Sequence, residues 1–180
     1  MTEPNRAVAL CHQVQSVMNT KHWLDAINLL KDNLSIVQRD WELSWNLAWC
    51  YRNCDRLDQA RTHLMRAARL APRNAICRFG LGVVYLEMKQ FKKAETHCTE
   101  SLRIKDAYVP RLTLASAYVG QGKLADAEDV HVQGIKLKPK EGRRYEAYAD
   151  FLSDVGREEQ AQTMYRKARM LDRKIPAKPR

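Results

Sequence analysis

Three kinds of position recur along this chain at i, i+1 and i+4: a large residue, a small residue and an aromatic or apolar one. The copies are Leu47, Ala48, Tyr51; Leu81, Gly82, Tyr85; Leu114, Ala115, Tyr118; and Tyr148, Ala149, Leu152, with a weaker first copy in Gln13, Val14, Val17. That spacing places each triplet on one stripe of a 3.6-residue helix. A short polar break follows, holding Asn53 and Asp55, Lys89, Gly120 and Gly122, or Asp154 and Gly156. Beyond the break an alanine returns as Ala26, Ala60, Ala94, Ala127 and Ala161, at separations of 34, 34, 33 and 34 residues. Each alanine opens a second stripe at i, i+4 and i+7. It runs through Leu30, Leu64, Cys98, His131 and Tyr165 to the small series Asn33, Ala67, Ser101, Gly134 and Ala168.

Each period therefore predicts two amphipathic helices packed antiparallel, with small side chains where the axes cross closely. No strand-like alternation competes with this pattern. A fixed period of this length predicts stacked supersecondary units rather than one globular core. The units fall at about 7–40, 41–74, 75–107, 108–141 and 142–174, a single domain over 1–174, with a short basic tail over 175–180. The first and last units depart from the pattern, as terminal repeats with one solvated face do.

The run Leu47, Ala48, Tyr51, Ala60, Leu64, Ala67 and Pro72 resembles the tetratricopeptide repeat signature, and Leu114, Ala115, Tyr118, Ala127, His131, Gly134 and Pro139 match it nearly as well. The resemblance covers almost the whole chain. It implies an all-α fold, a right-handed superhelical solenoid of five antiparallel helix pairs, and a protein-binding scaffold whose concave face is lined by the first helix of each unit.

Assigning the packing stripe leaves a set of residues for that face. In the middle units they include Trp45, Asn46, Trp49, Phe79, Val83 and Leu86, followed by Leu112. Trp45 and Trp49 are i, i+4 neighbours outside the intra-unit stripe. Contiguous exposed apolar surface marks interaction sites, and aromatic anchors make hot spots. These seven residues are the candidate peptide-binding groove, for a peptide or helix with apolar anchors. The competing reading is that the tryptophans pack between neighbouring first helices as core. In the fifth unit the corresponding positions turn polar, with Arg143, Glu146, Asp150 and Asp154.

The family's two-carboxylate clamp for chaperone tails is a lysine, two asparagines, a lysine and an arginine on three successive first helices. The matching positions in the first register are Cys11, Gln15, Asn46, Ile76 and Gly80, of which only Asn46 agrees. The two later registers do not restore it, so binding of chaperone tails by that mechanism is disfavoured.

The net charge of +10 is spread along the length, with strings such as Arg61, Arg66, Arg69 and Arg73. It reads as a solvated basic outer face, or as contact with nucleic acid or an anionic partner, of which nucleic acid is disfavoured. Five cysteines at helical positions suit a reducing compartment, so a cytoplasmic protein is expected. Residues 1–9 lack a basic segment followed by a long apolar stretch, so no secretory leader is expected, and no apolar run is long enough to span a bilayer. The histidines read as scattered. Cys50 and Cys54 lack a second pair at metal-ligand spacing, and Gly80 and Gly82 lack a phosphate loop. No enzyme, cofactor or metal is expected. Met164, Tyr165, Met170 and Leu171 on the last helix lack a further repeat; Ile175, Pro176, Ala177 and Lys178 cover them, or a second copy does in a homodimer.

Overall fold

The computed structural model describes residues 3–175. Among these, the regular structure is entirely helical: α1 (Glu3–Asn19), α2 (Trp23–Asp32), α3 (Leu34–Val37), α4 (Trp41–Asn53), α5 (Leu57–Leu70), α6 (Ala75–Glu87), α7 (Phe91–Ile104), α8 (Tyr108–Gly120), α9 (Leu124–Leu137), α10 (Gly142–Asp154) and α11 (Glu158–Leu171). They form two compact units, α1–α7 and α8–α11, divided between Lys105 and Asp106.

Within the units the recurring pattern becomes helix pairs α1/α2, α4/α5, α6/α7, α8/α9 and α10/α11. All five period-setting alanines are completely buried. The reason for small residues is most direct at Gly82, where a Cβ would lie 2.4 Å from Cys98 Sγ on the facing α7. Only a missing side chain lets α6 and α7 approach that closely.

The turn inside each pair follows a second rule with the same period. Lys21, Asp55, Lys89, Gly122 and Gly156 all have positive φ, between 57° and 79°. In four pairs the next residue's N–H reaches five residues back to the carbonyl of the recurring aromatic or apolar residue: Arg56 to Tyr51, Gln90 to Tyr85, Lys123 to Tyr118 and Arg157 to Leu152, at 2.8–2.9 Å. This is the Schellman end of a helix, with a left-handed residue at its turn. A Cβ at Gly122 or Gly156 would meet nothing within 4 Å. Gly122→Ala and Gly156→Ala are therefore each expected to cost about 1 kcal/mol through backbone strain alone. Urea unfolding midpoints check this.

The short α3 lies outside the two-helix pattern. Ile36 and Val37 donate to the Asn33 carbonyl, and Ser44 of α4 donates to the Val37 carbonyl at 2.6 Å. At the far end of the second unit, Ile175 is buried against Tyr145 and Ala168. A Cβ at Gly142 would lie 2.7 Å from the Ala168 carbonyl oxygen and 3.1 Å from Ile175 Cδ1, so this glycine admits the cover. Ile175 thus covers part of the last pair as expected, whereas Pro176, Ala177 and Lys178 lie outside the described residues. Met170 remains 84% exposed.

Candidate peptide-binding groove

The candidate residues of the first unit lie on its middle first helices, α4 and α6. Asp40 caps α4, its carboxylate accepting from the Leu43 N–H at 2.9 Å, and Asn74 caps α6 through the Ile76 N–H at 2.9 Å. These caps satisfy amides that the first helical turn leaves unpaired. They also fix where the exposed stripes begin.

Trp45 and Trp49 stack face to face, with ring centroids 5.2 Å apart and planes 9° from parallel. The Arg52 guanidinium continues the column, 4.6 Å from the Trp49 ring centroid. Arg52 also donates through Nε to both Glu87 carboxylate oxygens at 2.9 Å. The last turn of α4 is thereby tied to the end of α6. Cation–π contact and a forked ion pair act on the same side chain, and together they hold the Trp49 ring flat.

Gly80 explains how the column is seated. A Cβ there would lie 2.6 Å from Leu64 Cδ2 and 3.2 Å from Trp45 Nε1. Trp45 sits with its indole N–H buried and without a hydrogen-bond partner among the described residues. Both tryptophans are half-buried. The indole edge of Trp45 packs inward, and both side chains keep part of their surface exposed.

Phe79, Val83 and Leu86 on α6 are also half-buried. Asn46 differs from its neighbours. It is only 3% exposed, so its side chain is covered by the protein rather than offered to a ligand. Leu112 belongs to the second unit, half-buried on α8.

His63 and His97 hold one repeat position, three residues past Ala60 and Ala94, whereas His131 lies four past Ala127, on the second stripe with Leu64 and Cys98. His63 stacks on Tyr51 at 5.5 Å and His97 on Tyr85 at 5.3 Å. His131 stacks on Tyr148 at 5.9 Å and lies 5.2 Å from Phe151. Burial holds all three below the ordinary histidine range, His131 at about 4. The shared position of His63 and His97 was the missed signal. All three pack against aromatic rings from the second helices.

Burial also acts on four of the thiols. All five cysteines are free. Burial pushes Cys50 and Cys98 up to about 12, and Cys11 and Cys77 to about 11. Among the described residues, no group of three or more His, Cys, Asp or Glu side chains is placed to hold a metal ion, and no helix is long and apolar enough to cross a membrane.

Residues 42–107, the segment carrying both tryptophans and α6, match the tetratricopeptide repeat family. That segment carries tetratricopeptide repeats. No curated protein sequence matches it. Its fold is that of solved helical solenoids. MamA from Desulfovibrio magneticus RS-1 shares 19% identity, with 95% of this chain and 97% of that one covered, at a TM-score of 0.76. MamA of MSR-1 shares 22% identity, with 94% and 98% covered, at 0.70. MamA of AMB-1 shares 22% identity, with 92% and 98% covered, at 0.72. The family match and the helical-repeat fold together support a protein–protein interaction scaffold.

Proposed function

We propose that this tetratricopeptide repeat protein is an adaptor that holds a peptide or helix with apolar anchors on the α4–α6 face. Trp45, Trp49, Phe79, Val83 and Leu86 supply the contacts. The observation that carries the reading is the Trp45–Trp49 stack, half-buried yet held rigid by the Arg52–Glu87 pair. A pre-ordered aromatic surface loses little conformational entropy on binding. Burying one large apolar side chain contributes roughly 1.5–3 kcal/mol. Two or three anchors could therefore support micromolar binding, about −8 kcal/mol, after ordering costs.

Trp49→Ala is the direct variant. It is expected to keep the helical circular-dichroism signal, because the Trp49 ring is only half-buried, while losing the partner that the wild-type chain captures in a pull-down. A variant that unfolds, or that captures the same partner, removes Trp49 from the groove. The five free thiols support a reducing, cytoplasmic setting.

A homodimer through the last helix is the second reading, favoured by Met170 and Leu171, which remain exposed beside the Ile175 cover. Analytical ultracentrifugation tests it, and a monomer at high concentration removes it.

A further inference from the structure

The second unit contains a hollow of about 310 Å³ that lies outside the tryptophan face. Its walls include Leu112 and Ser116 of α8, His131 of α9, and Asp150, Phe151 and Asp154 of α10. The volume is at the low end for ligand pockets, enough for one long side chain and too small for a helix. Its lining carries two carboxylates and no lysine or arginine, on a chain whose net charge is +10. That local reversal of charge is the starting point.

The arrangement is amphipathic. Leu112 and the exposed edge of Phe151 line the hollow with apolar surface for an alkyl stem. Asp150 and Asp154 stand i, i+4 on α10, so their carboxylates share one face of that helix. Asp150 is fixed, its Oδ1 accepting from the Tyr165 hydroxyl at 2.6 Å. The arginines of this unit that could compete are already engaged: Arg157 with Glu128 at 2.6 Å and Arg144 with Glu141 at 2.8 Å. A planar guanidinium, with several donors in a fork, suits two neighbouring carboxylates better than a compact ammonium does.

We propose that this hollow is a subsite for an arginine side chain presented by an exposed segment of a protein partner. The stem lies along Leu112 and Phe151, and the guanidinium donates to Asp150 and Asp154. The site does not depend on the tryptophan face.

Fluorescence anisotropy with the full chain tests it. The probe is a labelled pentapeptide with one arginine between two leucines on each side, and its control carries citrulline, which keeps the shape and loses the charge. The arginine peptide is expected to bind about tenfold more tightly than the citrulline peptide. Asp154→Asn, at an exposed position where losing a negative charge suits the helix end, is expected to remove most of that difference. Ser116→Trp, which fills the hollow from an exposed position, abolishes binding of the arginine peptide, and Trp49→Ala leaves it unchanged. Four results would overturn the subsite: no binding of the arginine peptide, equal binding of the two peptides, a preference that survives Asp154→Asn, or binding that survives Ser116→Trp. Loss of the arginine preference in Trp49→Ala would overturn its independence from the tryptophan face.

Discussion

Lowering the pH from 7 to about 4 is expected to destabilise the second unit by on the order of 3 kcal/mol through His131 alone. The imidazole packs on both Tyr148 and Phe151, and burial lowers its pKa from 6.5 to about 4, against the smaller opposing pull of Asp150 and Glu128. A group whose folded pKa is depressed contributes its full stability above the unfolded value. That contribution is lost as pH falls through the window between 6.5 and about 4. His131→Phe keeps a ring in the stack and removes the titration. Its urea midpoint is expected to vary much less than wild type across this window. His63 and His97 shift in the same direction in the first unit. A wild-type midpoint that is flat between pH 7 and 4 would refute the assignment.

Leu47→Ala is expected to cost about 2–5 kcal/mol, a large part of a typical domain's stability. Leu47 is fully buried on α4, with Leu43 and Ala48, also fully buried, beside it on the same helix. Truncation removes apolar burial and leaves a cavity that close-packed helices cannot collapse into. The loss should appear as a lower urea midpoint with an unchanged slope. An effect below about 1 kcal/mol would mean the α4 stripe is not the packing face.

The helix pairs were legible because packing repeats as chemistry: an alanine at a crossing has to be small in every unit, and Ala26, Ala60, Ala94, Ala127 and Ala161 are. The left-handed turn was not legible, although it recurs just as regularly. It is a requirement on φ, and Lys21, Asp55, Lys89, Gly122 and Gly156 meet it with unlike side chains. α3 escaped for another reason. Its four residues are too few to show a period, and it is held by Asn33 and Ser44 rather than by its own pattern.

The candidate groove was legible in part. Spacing alone put Trp45 and Trp49 on one face of α4. How Trp45 would be seated depended on Gly80 of the following unit, which no pattern within one unit encodes. Asn46 shows the same limit. It occupied a position the family uses for ligand contact, and packing around α4 buried it.

Hydroxyl-radical footprinting of the wild-type chain, free and with its captured partner, tests the adaptor reading most directly. Oxidation of Trp45, Trp49 and Phe79 is predicted to fall on binding, while exposed Met170 oxidises at the same rate in both samples. Unchanged oxidation of the two tryptophans, with protection elsewhere, would contradict a partner seated on the α4–α6 face.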